Sequence, residues 1–278
     1  MMLPSAARAL SVAYPVWLTL RNQSFSGHVM TCSDHACNLI EGKERLIALT
    51  DPLIGRGPFS IVLDSAREVC KRLRPQQPVA IDTEAITLAG YRIPLRGAEI
   101  WDPTLWPTAR QFRLTPALAA VLRPYTVWPQ PLAHTAVDSA TARLLAQGAC
   151  ALITAVTGMS GIASAVLQLT GLGPGLTPAG DDYVLGVMAA LWLSDGPDLL
   201  AEIAAVCAPS TTDLSGAFLR AAAQGHFMEA WGQLAYMLER QDIPGARSAA
   251  QRLSEFGASS GRAALAGFAS TFICQQRA

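Results

Sequence analysis

Lysine is nearly missing from this chain of 278 residues: Lys43 and Lys71 are the only two. Chemistry that needs a lysine therefore has few candidates. Charge of either sign is scarce, at 15% of residues against the roughly 25% usual for soluble domains. The 21 basic residues cancel the 21 acidic ones, so there is no broad positive field of the kind that nucleic-acid binding uses. No C-x-x-C pair occurs among Cys32, Cys37, Cys70, Cys150, Cys207 and Cys274. In a chain this long they read as reduced thiols packed as small apolar groups, in a cytoplasmic protein. His28, His35, His134 and His226 lack metal-ligand spacing, and no Ser-His-Asp set can be read. A G-x-S-x-G elbow is also missing, since Gly158-Met-Ser-Gly161 has the wrong spacing.

Two apolar stretches resemble membrane segments. Leu144–Gly180 carries no charge, but Gly148, Gly158, Gly161, Gln168 and the loop at 171–180 divide it into pieces shorter than the ~20 residues of a spanning helix. The N-terminal run Ala9–Leu20 follows Arg8 like a signal peptide, yet Pro15 interrupts it and no small-x-small cleavage site precedes Arg21. Both are read as parts of a protein with no membrane partner.

What is present is a change of period along the chain. The first part is rich in short strand-like runs: Val16–Leu20, Asn38–Ile40, Leu46–Leu49 and Ser60–Leu63, then a meander of Val79–Ile81, Ile86–Leu88 and Tyr91–Leu95. Glu41-Gly42-Lys43 marks a hairpin, and Ala66, Val69 and Cys70 mark one helix within Asp64–Leu73. Residues 101–131 hold six prolines and form a crossover, with a short helix at Pro116–Leu122. Beyond it the period becomes helical. Val137, Leu144, Leu145, Leu152 and Val156 share a face, as do Phe227, Trp231, Leu234, Met237 and Leu238, and again Leu265, Phe268, Ala269 and Phe272. Tyr183–Leu193 is apolar all round, which predicts a central buried helix. The fold class is α+β: a β-rich N-terminal domain at 1–110 and a helical domain at 111–278.

The text Gly171-Leu-Gly-Pro-Gly-Leu-Thr-Pro-Ala-Gly-Asp-Asp182 leads directly into that buried helix. Thr177 before Pro178 predicts an N-cap followed by proline at the first helical position. Gly171, Gly173, Gly175 and Gly180 let a ligand approach the main chain, and the amides near Leu176 and Thr177 offer a concavity that favours anions. It is no Walker A loop, because no lysine follows, and no Rossmann fingerprint, because no strand clearly precedes it. Asp181 and Asp182 would repel an anion unless a divalent metal such as Mg²⁺ bridges them, one is protonated, or one turns away to serve the helix dipole. The bland account of the pair is the last, and the apolar context argues for an interior cleft instead. Two more small-residue loops precede predicted helices: Ser210–Ser215, with Thr211, Thr212 and Ser215, and Gly257–Gly261, with Ser259 and Ser260. Each alone reads as a cap. Meeting at one point, the three would form a cluster of amides and hydroxyls suited to an oxyanion or phosphate.

The 171–182 text resembles the Gly-Leu-Gly-Pro-Gly-Leu-Thr-Pro-Ser-Gly-Asp-Asp signature of a bacterial family. Some of its members are labelled carboxylases, and it includes AllH, an oxamate carbamoyltransferase subunit of allantoin degradation. The likeness extends over most of the chain. Ala36-Cys37-Asn38-Leu39 is similar to the family's Ala-Val-Asn-Leu element, and Gly57-Pro58 to its Gly-Pro element. Thr211-Thr212, Ser215 and Ala221–Glu229 resemble its second region. Two departures stand out: Ala179 replaces the usual serine, and Gly257-Ala-Ser-Ser-Gly-Arg262 lacks the histidine and the acid of the family's last loop.

The resemblance implies a part in carbamoyl transfer between carbamoyl phosphate and oxamate, within a complex of several subunits. Such a reaction anchors a phosphate, polarises a carbamoyl carbonyl and deprotonates a poor nitrogen nucleophile. The loop amides suit the first two tasks, and Asp181 or Asp182 the third, or the binding of Mg²⁺. Asn38 joins the ligand-binding set through the same resemblance. The Ser-Thr-Arg-Thr phosphate motif of ordinary transcarbamylases is missing, since Ser210-Thr-Thr-Asp213 has no arginine. Two other classes stay open: a non-catalytic anion-binding or assembly subunit, and a metal-assisted carboxylase or lyase.

Overall fold

The computed structural model describes residues 7–105, 114–126, 138–194 and 197–275. The chain forms two compact units, Met1–Pro103 and Thr104–Ala278.

The N-terminal unit is built on a nine-stranded sheet: β1 (Ala9–Ala13), β2 (Phe25–Cys32), β3 (Ala36–Glu41), β4 (Arg45–Thr50), β5 (Ser60–Leu63), β6 (Pro78–Ile81), β7 (Ala85–Leu88), β8 (Tyr91–Pro94) and β9 (Glu99–Trp101). Their order across the sheet is β8-β7-β6-β2-β3-β4-β5-β1-β9. Most neighbours are antiparallel, but β4 pairs parallel with β5 and β1 parallel with β9. The β3–β4 hairpin turns at Gly42, whose φ of 63° suits glycine. Two helices flank the strands, α1 (Tyr14–Asn22) and α2 (Ala66–Cys70). One core gathers Phe25, Leu39, Leu49, Ile61, Leu63 and Ile86.

Here the structure corrects two expectations. Val16–Leu20 is a helix, not a strand. Pro15 stands in its first turn, and Val16 and Leu20, four apart, share its buried side. Cys32 and Cys37 form a disulfide, because the β2–β3 register sets them opposite each other. Of the other four, Cys70 and Cys207 are buried as expected, whereas Cys150 is exposed and Cys274 half-buried.

The described regular structure of the C-terminal unit is helical: α3 (Pro116–Leu122), α4 (Ser139–Thr157), α5 (Ile162–Leu167), α6 (Ala179–Leu193), α7 (Pro197–Cys207), α8 (Asp213–Ala223), α9 (Glu229–Glu239), α10 (Ile243–Ser254) and α11 (Ser260–Gln275). Helix α4 runs unbroken through Gly148, contrary to the expected interruption; the glycine leaves room for Leu169, whose side chain would lie 2.9 Å from a Cβ there. By length and composition α4 could cross a membrane, with 28% of its apolar window buried in this structure. Val137, assigned to its face from the sequence, lies outside the described residues, and Leu144 is exposed.

Helix α6 is the axis of this unit, with Val184, Val187, Met188, Ala189 and Ala190 all fully covered. Its closest partner is α11. A Cβ on Gly186 would stand 1.7 Å from the Ala264 carbonyl oxygen, and one on Gly267 would stand 2.0 Å from that of Tyr183. The two backbones touch through these glycines. That contact brings the first turn of α6 beside the first turn of α11.

Candidate functional site

The 171–182 segment folds as a loop clamped onto the start of α6. Leu172 donates its amide to the Leu169 carbonyl at 3.0 Å, and Gly180 donates back to the Leu172 carbonyl at 2.9 Å. Gly180 permits this because a Cβ there would lie 1.9 Å from the Leu169 oxygen. Gly173, at φ 122°, backs onto the Ala179 amide in a conformation that few other residues adopt. The amides of Gly173, Gly175, Leu176 and Thr177 make no hydrogen bond to other backbone groups among the described residues.

Thr177 does not cap the helix. Pro178 occupies the cap position with extended backbone, and α6 starts at Ala179 with no side-chain cap. The Thr177 hydroxyl is engaged elsewhere, 2.9 Å from the hydroxyl of Ser260 in the first turn of α11. The orphan amide of Gly180 is satisfied by loop backbone instead, so the helix loses little by lacking a hydroxyl cap.

Asp181 and Asp182 are 2% and 6% exposed, which removes the reading of acids on a solvated helix end. They turn toward different neighbours. Asp181 Oδ1 accepts from the Gly171 amide at 2.8 Å, and its Oδ2 accepts from the Thr211 hydroxyl. The Ser215 hydroxyl adds a third donor. Burial pushes the Asp181 carboxyl above the usual range, and these three donors oppose the push. Asp182 lies against Ser260, and its Oδ2 is a buried oxygen with no hydrogen-bond partner. Burial holds its carboxyl well above the usual range, against the pull of Ser260 and with the added push of Asp181.

The second loop arrives from α8. The Thr212 hydroxyl accepts from the Ser215 amide at 3.1 Å, the expected cap, and also donates to the Leu176 carbonyl at 2.5 Å. Cap and site are therefore the same residue. The third loop arrives from α11 through Ser260, while the Ser259 carbonyl accepts from Ala263 as a helix start. All three small-residue loops converge on the Asp181–Asp182 turn. Asn38 belongs to the N-terminal unit, on β3, where its amide donates to Thr31 at 3.0 Å.

The arrangement does not fit a metal. Asp181 is already surrounded by N–H and O–H donors, which a cation would have to displace. No group of three His, Cys, Asp or Glu side chains able to hold an ion occurs among the described residues. One neighbour escaped the sequence reading. Cys207, at the end of α7, has its thiol pushed up to about 12, first by burial and then by the charge of Asp181. Only packing brings it there.

These elements define a helical unit in which three small-residue loops meet at a pair of buried carboxyls, joined in one chain to a sheet unit. Residues 169–272 match the family model of the oxamate carbamoyltransferase subunit AllH, and residues 8–100 match that of the AllH family N-terminal domain. The chain belongs to the AllH family. No curated protein and no solved structure matches it. The matched C-terminal range contains the 171–182 loop, both aspartates and both partner loops. The subunit name places the family's members in complexes with other chains.

Proposed function

We propose that this chain serves carbamoyl transfer as one subunit of a complex, holding an anionic group of carbamoyl phosphate or oxamate at the Gly171–Asp182 loop. In the transfer, the amide nitrogen of oxamate bonds to the carbamoyl carbon and the carbamoyl carbon–oxygen bond to phosphate breaks. Oxalurate and phosphate result, and the amide proton leaves the nitrogen. Amides at Gly173, Gly175, Leu176 and Thr177 supply directed positive dipoles for an oxyanion. The carboxyl pair supplies acceptors for N–H groups.

One observation carries the reading: three separately encoded loops meet around two buried acids and a row of main-chain donors. The family's description as an oxamate carbamoyltransferase subunit supports carbamoyl transfer as the chemistry. A second reading, a non-catalytic subunit that binds an anion and supports assembly, is favoured by one specific feature. Among the described residues, no Lys, Arg or His side chain pairs with either acid.

The test is oxalurate formation by the assembled complex carrying Asp181→Asn or Asp182→Asn. Loss of turnover with an intact circular dichroism spectrum supports transfer. Full activity in both variants eliminates it. A chain that binds carbamoyl phosphate yet leaves turnover unchanged when altered, while losing its partners in pull-down, decides for the second reading.

A further inference from the structure

The two aspartates are adjacent in sequence and equally hidden, but their bonding is unequal. Asp181 is satisfied within the chain by a loop amide and two hydroxyls from the α8 start. Those bonds fasten Gly171 to α6 and α6 to α8. Asp182 is more than nine-tenths buried; the Ser260 hydroxyl serves its carboxyl, but Oδ2 has no partner. A polar atom left in that state costs on the order of 1–3 kcal/mol. A fold retains such a cost where the missing partner comes from outside.

We propose that Asp182 Oδ2 is where this site receives the carboxamide of a small primary amide, and that Asp181 is a positioning residue for the loop. The inference rests on the reading that a small anion binds at the Gly171–Asp182 loop. Its chemical argument is complementarity. An ionised Asp182 accepts an amide N–H, and a neutral one both donates to the amide oxygen and accepts from its nitrogen. A carboxylate in the same place fits only the neutral form, and it meets the charge of Asp181 as well. The groups facing this carboxyl are Asp181 on the same helix and Ser260 on α11, with Ser215 of α8 and Cys207 of α7 against Asp181. None is cationic. The Thr177 hydroxyl, from the loop whose amides have no backbone partner, lies 2.9 Å from the hydroxyl of Ser260, the residue against this acid. A ligand with an anionic end and an amide end would use both.

The experiment is calorimetric titration of the full chain with oxamate and with oxalate, which replaces the amide by a second carboxylate, at acid, neutral and alkaline pH. Expected for the unaltered protein is a preference for oxamate that widens as pH rises. Asp182→Ala should weaken oxamate about tenfold and erase the preference. Asp182→Asn, which keeps a neutral donor and acceptor, should bind oxamate with an oxamate-to-oxalate preference independent of pH. Asp181→Ala should weaken both ligands alike. Thermal unfolding separates a binding role from a structural one. Asp182→Asn should leave the melting temperature unchanged or raise it, and a clear fall would overturn the inference. Equal binding of oxamate and oxalate at every pH, unchanged oxamate binding in Asp182→Ala, or a preference that still varies with pH in Asp182→Asn, overturns it while the carbamoyl-transfer reading survives. If the unaltered chain binds neither ligand, both fall together.

Discussion

In the N-terminal unit, charge is spread over the surface and matched: Arg8 with Asp64, Arg45 with Glu41, Arg56 with Glu99 and Arg67 with Asp34. All four arginine–carboxylate pairs among the described residues lie there, and His35 Nδ1 stands 3.7 Å from Asp51 Oδ2. In the C-terminal unit the most deeply placed charges, Asp181 and Asp182, have only neutral donors around them. The difference teaches where to look for a site. Exposed pairs contribute little and can sit almost anywhere. Buried acids without cations are costly, and they persist where something beyond folding requires them.

That contrast can be tested from the largest expected effect downward. The helical unit relies on backbone contact, so Gly186→Val should cost about 3 kcal/mol or more, or abolish folding, by forcing a side chain into the Ala264 carbonyl. Denaturant unfolding measures it, and a loss below about 1 kcal/mol would contradict the packing described. Asp181→Ala should cost about 2–3 kcal/mol by stranding the Gly171 amide and the Thr211 and Ser215 hydroxyls. Protease nicking in the 171–178 loop should rise with it.

The pH response should have opposite signs in the two units. For the aspartate pair the folded-state pKa is raised, so its contribution to stability is fully present below the unfolded value of 3.8 and is lost as pH rises through the folded values. Asp82 in the sheet unit is lowered by amides of Ala85 and Glu84, so its contribution is lost as pH falls. Melting curves of the chain and of Asp182→Asn across pH check the first sign: the variant should lose part of the decline toward alkaline pH. A smaller effect belongs to the β2–β3 hairpin, where Cys32→Ser should cost about 2 kcal/mol by freeing a short closed loop of the unfolded chain. Smallest of all, Arg8→Ala should change stability by less than about 0.5 kcal/mol, since the Arg8 side chain is 71% exposed.

Much of the fold was legible because local pattern and final environment agree. Ser60–Leu63 and Pro116–Leu122 coincide with β5 and α3, and the apolar run after Asp182 is the buried part of α6. Where they disagreed, the reading failed. Val16–Leu20 has strand-like composition, but Pro15 and burial of Val16 with Leu20 make it helical. Strands β1, β2 and β9 were missed because Ala9–Ala13, Phe25–Cys32 and Glu99–Trp101 lack a clean alternation. The sheet pairs β1 with the distant β5 and β9, and β2 with the distant β6 as well as with β3 beside it.

The site divides the same way. Glycine at 171, 173 and 175 and two acids entering an apolar helix are local facts, and they mark the segment as a candidate by themselves, since backbone freedom and charge are properties of residues. Which acid is satisfied, which hydroxyl reaches it, and that Thr177 faces Ser260 instead of its own helix are relations between residues dozens of positions apart. Hydrogen bonds and desolvation depend on distance in space, so only the packing of α6 against α8 and α11 could set them.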